Sequence, residues 1–379
     1  MPLLGGYLVD AIGVRTGIFI FSVLVCSGQA IFAFGISIKS YWMGLAGRFV
    51  FGMGGESLNV AQSAIVSSWF ANKELALALG LNVSISRLGS VFNDLVEPAF
   101  YDATGNVVLG LWFGLLICLI SLGCGLALNL MDKRRDSKLG IKGKKTLDPS
   151  EKVKFSDIKT FKFNYWLICV NCVVVYACVM CFNNVASNFY YERFGYSKTT
   201  ASAIISITYG ISAVFCPIFG FIVDKIGRRA TLILLSSGIM VIVHLAYMAM
   251  PDCDGCVYPP FPLVLLGIGY SIYASVMWAS IPYIVEPRTV GTAFGVVTSI
   301  QNAGLAAIPP AIGGIVSATS YQHGYFWASF FFVVMGLIGL ATAIMLFIDD
   351  GKKGRVLESK NPNKESVMDN TADKLGSEF

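Results

Sequence analysis

The sequence predicts an all-α polytopic membrane protein of two pseudo-symmetric six-helix halves, with the first helix and most of the second missing from the first half. Three observations predict it. Hydrophobic residues make up 55% of the 379 and charged residues only 13%, roughly half the charge of an ordinary soluble domain. Apolar runs recur at a length that crosses a hydrocarbon core of ~30 Å as a helix. A stretch near the start reappears past the middle of the chain.

The apolar runs lie at 16–37, 41–68, 75–97, 107–131, 163–188, 199–223, 230–250, 260–284, 291–317 and 324–348, and the lead over 1–9 reads as the end of one more. The alternation of a membrane barrel is absent. Four parts follow: a helical half over 1–131, a basic loop over 132–161, a second helical half over 162–349, and a polar, aperiodic tail over 350–379 expected to be disordered. Residues 133–162 carry eleven Lys or Arg, the tail carries six, and Lys225, Arg228 and Arg229 share one loop. The loops at 98–106 and 251–259 carry none. The positive-inside rule makes the central loop and the C-terminus cytosolic. The net charge of +5 is therefore mainly a topology signal, with no nucleic acid among the expected partners. The central loop reads as solvated, with contact to anionic lipid as the alternative.

GYLVDAIGVR at 6–15 returns as GFIVDKIGRR at 220–229, a shift of 214. At a shift of 215, Gly52 and Gly54 match Gly267 and Gly269, Ala78 and Gly80 match Ala293 and Gly295, and Gly89 matches Gly304. Two parallel six-helix halves are the arrangement of a secondary transporter with repeated halves. The second copy has about sixty residues ahead of Asp224 and the first has nine ahead of Asp10, so a truncated first half is expected. The G-x-x-x-D-x-x-G-x-R loop resembles the signature of the major facilitator superfamily. Arg48 with Gly52 and Gly54 resembles that superfamily's second motif. The resemblance implies that superfamily's fold and a gating device on the cytosolic side. It assigns the device to Gly6, Asp10, Gly13 and Arg15, to Asp224, Gly227, Arg228 and Arg229, and to Arg48. A fold of this kind does not specify a substrate.

Two charges stand out inside apolar helices. Glu56 lies about fourteen residues before the turn at 70–74 and Arg87 about twelve after it. At 1.5 Å per residue both sit ~18–20 Å from that end, near the bilayer centre. Their counterparts in the second repeat are Ser271 and Asn302, so the scaffold needs no charge at either place. One reading is a buried pair that locks the two helices. The other is a substrate cavity. Intramembrane charges default to function, and a pure lock gains little net stability, so the cavity is the preferred reading. A ligand suited to both groups is a small zwitterion, with Glu56 accepting its ammonium and Arg87 holding its carboxylate bidentately. Asn59 lies nearly one turn beyond Glu56 on the same face. Tyr270, Tyr273, Trp278, Gln301 and Asn302 are candidate walls from the second half, Trp278 the strongest, although aromatic residues at helical spacing also serve plain packing.

RFVFGMGGESLNVAQ at 48–62, SSWFANKEL at 67–75, GLNVSISRLGS at 80–90, and GTAFG with SIQNAGLA at 291–295 and 299–306 resemble the lysosomal dipeptide transporter family of the major facilitator superfamily. The resemblance implies a multi-pass protein of the lysosomal membrane that exports dipeptides by alternating access, as a uniporter. It implies a glycosylated accessory membrane protein as partner. It places the acid for the peptide amine on Glu56 and the arginine for the carboxylate on Arg87. Two other readings stay open: a proton-coupled peptide or small-zwitterion symporter with Glu56 as proton site, and a non-transporting membrane sensor or assembly partner.

No phosphate-binding loop, metal-ligand cluster or nucleophile motif is present in the sequence, so neither an enzyme nor a cofactor is expected. Its one N-x-S/T sequon, Asn82-Val83-Ser84, falls inside a helix. Eight of ten cysteines lie in helices and read as small hydrophobes. Cys253 and Cys256 share a non-cytosolic loop and are a candidate disulfide.

Overall fold

The computed structural model describes residues 2–70, 74–138, 155–318 and 321–360. Among these, regular structure is helical throughout. In chain order the helices are α1 (Pro2–Ile12), α2 (Val14–Ser37), α3 (Tyr41–Phe70), α4 (Leu75–Thr104), α5 (Val107–Lys138), α6 (Phe163–Phe194), α7 (Lys198–Ile226), α8 (Arg229–Ala249), α9 (Phe261–Ile284), α10 (Val290–Ala318) and α11 (Tyr321–Lys352). Short 3₁₀ turns occupy Phe155–Thr160 and Pro287–Thr289.

Among the described residues, α2, α5, α6, α7, α8, α9 and α11 are long and apolar enough to cross a membrane. The remaining expected spans, at 41–68, 75–97 and 291–317, form α3, α4 and α10, with 30, 30 and 29 residues. Glu56 lies on α3, Arg87 on α4 and Asn302 on α10.

The chain forms two compact units. One is drawn from Met1–Ser68, Gly89–Thr160 and Glu286–Ser299, the other from Trp69–Leu88, Phe161–Val285 and Ile300–Phe379. This division differs from the one expected at the central loop. The start of α10 belongs with the first unit and the start of α4 with the second, for reasons that lie in the repeated loop motif.

In the first unit α2 and α3 cross closely. A Cβ on Gly54 would lie 2.8 Å from the Val25 backbone nitrogen, so only glycine permits this approach. α5 closes on α2 through Gln29, whose side chain donates to the Leu111 carbonyl at 3.0 Å. In the second unit the aromatic side chains of Phe182, Phe189, Tyr247 and Phe332 interlock edge to face between α6, α8 and α11. Asn171 of α6 is buried and donates to Ser237, to the Gly339 carbonyl and to Thr342. A buried amide is tolerated when its bonds are met in this way.

Two boundaries differ from expectation. α5 continues to Lys138, seven residues into the expected loop, where Asp132 and Asp136 pair with Arg15 and Arg135. The tail expected to be disordered is ordered from Asp350 to Lys360, as far as the description extends. Asp350 accepts from the Leu357 backbone N–H at 2.9 Å and Leu357 is fully buried. Composition misreads this segment because a few residues with specific partners outweigh its polarity.

Candidate functional site

Glu56 and Arg87 belong to different compact units, and each is described in its own surroundings. Glu56 is half-buried on α3. Its neighbour Ser57 is buried against α1, where a Cβ on Gly5 would collide with it. Asn59, three residues on, is exposed.

Arg87 is half-buried on α4 in the second unit. Its Nη2 donates to the Tyr270 hydroxyl at 2.6 Å. The guanidinium carbon lies 5.3 Å from the centre of the Tyr209 ring and 5.5 Å from that of Tyr270, within cation–π range. Its Nε is buried without a hydrogen-bond partner. The cation thus rests on neutral phenols with a donor to spare. The phenols extend into a wider aromatic set. Tyr176 stands edge-on to Tyr270, Tyr273 and Trp278, with ring centres 5.8, 6.0 and 6.4 Å away. The Trp278 indole donates to the Tyr176 hydroxyl at 2.8 Å.

These contacts sort the candidate walls. Trp278, half-buried, joins the set through Tyr176. Asn302 is half-buried on α10 in the same unit. Tyr273 is fully buried, and its hydroxyl donates to Asn171 Oδ1 at 2.7 Å. Its hydroxyl is thereby engaged within the packed interior, while its ring stays beside Tyr176. Tyr176 and Tyr209 are not among the expected residues, and Tyr270 is expected only as a wall rather than as the partner of Arg87. A tyrosine among many apolar-helix tyrosines carries no signal of which charge it meets.

The repeated motif yields two matching constructions. In the first unit Asp10 accepts from the backbone N–H groups of Gly291 at 3.0 Å and Thr292 at 2.5 Å, and from the Thr292 hydroxyl at 2.6 Å. In the second unit Asp224 accepts from the backbone N–H groups of Ala76 at 3.0 Å and Leu77 at 2.8 Å. Each carboxylate satisfies the open first turn of a helix and sits at its positive dipole end. One turn before each aspartate is the motif glycine. A Cβ on Gly6 would overlap the Gly291 carbonyl, and one on Gly220 the Ala76 carbonyl. The turns that follow require positive φ, 93° at Gly13 and 68° at Gly227, and Arg228 follows at 49°.

The basic members of the motif behave differently from one another. Arg15 bonds Asp132 at 2.5 Å and also pairs with Asp136. Arg229 is buried, donates to the Ser359 carbonyl at 3.0 Å and lies 4.3 Å over the Tyr283 ring. Arg48 is not brought to either aspartate. It is exposed seven residues into α3, with its guanidinium 4.0 Å over Phe32 near the far end of α2. The motif match places Arg48 with the gate, but the antiparallel run of α2 and α3 puts it at the opposite end from Arg15.

Cys253 and Cys256 are joined as a disulfide with Cα atoms 6.1 Å apart. The turn they close is tied to the end of α6: Gly255 N–H donates to the Phe194 carbonyl at 2.9 Å, and Tyr196 donates to the Cys256 carbonyl. Beside it is a cavity of about 250 Å³ lined by Glu192, Arg193, Asp252, Cys253, Asp254 and Tyr325. Arg193 there bonds Asp252 at 2.5 Å and the Tyr247 carbonyl at 2.7 Å. Among the described residues no three His, Cys, Asp or Glu side chains are grouped to hold a metal ion.

The sequence profile of the Major Facilitator Superfamily matches residues 1–309. The chain is 36% identical over 373 residues to the lysosomal dipeptide transporter MFSD1 of Homo sapiens, covering 96% of this chain and 78% of the human protein. It is 37% identical over 374 residues to the same transporter of Mus musculus, with 96% and 78% covered. In fold it is similar to the superfamily transporter FucP in its outward conformation, at a TM-score of 0.71 and 14% identity, over 91% of this chain and 86% of that one.

Proposed function

This chain belongs to the major facilitator superfamily, and on that premise we propose that it carries dipeptides out of the lysosome by alternating access, as a uniporter. In this reading Arg87 binds the peptide carboxylate and Glu56 its ammonium. The observation that carries it is the state of Arg87. The guanidinium is oriented by the Tyr270 hydroxyl, faces neutral rings, and keeps a buried Nε donor without a partner. A carboxylate supplies the acceptors that this cation is poised to use, and the planar fork of arginine suits it bidentately. The named relatives, at 36–37% identity, support the dipeptide and the lysosome. The accessory glycoprotein is part of the same reading, supported by the resemblance alone.

Asp10 and Asp224 would serve the gate. Each fastens the first turn of a helix in the other sequence half, and rocking of repeated halves requires such fastenings to form in one state and release in the other.

The test is dipeptide flux in proteoliposomes. Wild type is compared with Glu56→Gln and Arg87→Ala, and each is challenged with peptides blocked at the amine or at the carboxylate. The reading expects transport by wild type, loss of flux in both variants with folding retained, and no transport of blocked peptides. Normal flux in both variants, or none in the wild type, would overturn it. Uptake that follows an imposed pH gradient at constant membrane potential would replace uniport with proton coupling.

A further inference from the structure

α6 contains a wide turn, the π-helical stretch Ala177–Cys181. Such turns insert one residue into an α-helix and disturb its ladder of backbone bonds. Here a side chain from another helix bonds inside the turn. His244 of α8 approaches the Cys178 carbonyl with Nε2 at 3.0 Å. A carbonyl only accepts, so Nε2 carries the proton and Nδ1 is the bare nitrogen. That Nδ1 is buried with no hydrogen-bond partner. The imidazole is fully buried, stacked 5.0 Å from Phe332 and edge-on to Phe182 at 5.2 Å. If the position served packing alone, an apolar ring would fill it without leaving a polar atom unmet. The N–H bond to Cys178 is what distinguishes histidine here.

The turn is also held from α11, because the Cys178 thiol donates to the Phe332 carbonyl at 3.6 Å. The residue that enters the turn is Tyr176. It takes the Trp278 hydrogen bond and stands against Tyr270, which in turn accepts from Arg87. From Cys178 to Arg87 the chain of contact is continuous within the second unit.

We infer that His244 is a positioning residue: its N–H clasps the wide turn of α6 and so sets Tyr176 and Tyr270 around Arg87. The inference rests on Arg87 as the carboxylate-binding group. An aromatic set fixed in this way holds the guanidinium in one orientation before the ligand arrives, which strengthens binding without adding a contact to the ligand.

The experiment uses the whole chain in detergent with His244→Phe, which keeps the ring and removes the donor, and His244→Gln, whose amide can reach the carbonyl. His244→Leu stands in should the Phe variant fail to fold. The first readout needs no ligand. Hydrogen exchange of a peptide covering 176–182 should rise on the order of 10-fold in His244→Phe and return towards wild type in His244→Gln. The second is the Kd for alanyl-alanine, expected to weaken about 5–20-fold in His244→Phe, while the maximal transport rate, measured after reconstitution into proteoliposomes, stays nearly unchanged. In a Tyr176→Phe background the same substitution should add little, because both act through one set. Unchanged exchange in His244→Phe overturns the clasp. Raised exchange with an unchanged Kd, or a loss fully additive with Tyr176→Phe, overturns its link to the site. A wild type that binds no dipeptide removes the reading of Arg87 and the link with it, while exchange still decides the clasp.

Discussion

Asp10 and Asp224 occupy matching posts 214 residues apart, each accepting two backbone N–H bonds from the first turn of a helix in the other sequence half. The motif therefore secures a helix start in each repeat. Replacing either aspartate by alanine should weaken its helix start by about 0.5–2 kcal/mol. Asparagine should cost less, because it still accepts and loses only the charge–dipole part, about 0.3–1 kcal/mol. Hydrogen exchange separates the two sites. Asp224→Ala should speed exchange at Ala76 and Leu77 and leave Gly291 and Thr292 alone, and Asp10→Ala the reverse. Equal effects at both places, or none, would contradict local capping.

Tyr270→Phe keeps the ring over Arg87 and removes its acceptor. Hydrogen bonds to charged groups contribute about 1.5–3 kcal/mol, although loosening the guanidinium recovers part of that. Dipeptides with a free carboxylate should bind about 5–20-fold more weakly. Peptides amidated at the C-terminus should bind equally poorly to both proteins. A loss of the same size for both classes of peptide would mean that Tyr270 shapes the protein without serving the carboxylate group.

Both aspartates and both motif glycines are legible in the amino-acid sequence, because a pattern found twice in one register carries its own control. Glu56 and Arg87 are conspicuous too, as charges inside apolar stretches. Their surroundings are not. Tyr270 and Tyr273 are three residues apart on one helix, yet one meets Arg87 and the other Asn171. Helix rotation and the approach of α4 decide which, and neither is written in spacing. Tyr176 and Tyr209 lie on helices with no charge nearby in sequence to draw attention to them. Arg48 shows the opposite error: a motif match suggests a role, and the antiparallel run of α2 and α3 places the side chain elsewhere.

The disulfide turn gives a third prediction. Cys253 and Cys256 are separated by only three positions, so little unfolded-state freedom is removed by joining them. The turn also keeps its backbone bond from Gly255 to Phe194 and its bond from Tyr196. Cys253→Ser with Cys256→Ser should therefore cost about 2 kcal/mol or less in stability and leave dipeptide flux within twofold. Thermal unfolding in detergent and proteoliposome uptake check both. A collapse of stability would show that the remaining bonds do not hold the turn.

The ordered part of the tail gives the last prediction, and it decides between composition and structure. The Glu358 carboxylate accepts from the Thr231 backbone N–H at 2.7 Å and from its hydroxyl at 3.0 Å, at the start of α8. The Arg228 and Arg229 backbone N–H groups donate to the Glu358 and Leu357 carbonyls at 3.1 and 2.9 Å. Leu357 itself is fully buried. Removing the carboxylate in Glu358→Ala takes a cap from the first turn of α8, worth about 1 kcal/mol. Leu357→Ala leaves a hole as well as losing the side chain, worth about 2–3 kcal/mol where neighbours relax only partly. If the segment were disordered, both changes would fall within about 0.5 kcal/mol of wild type, as exposed substitutions do. Thermal unfolding in detergent should therefore rank Leu357→Ala below Glu358→Ala and both below wild type. The Glu358 variant should also expose the tail to protease without reducing the fold of the helices that precede it. Two variants indistinguishable from wild type would return the tail to the disordered class that its composition suggests.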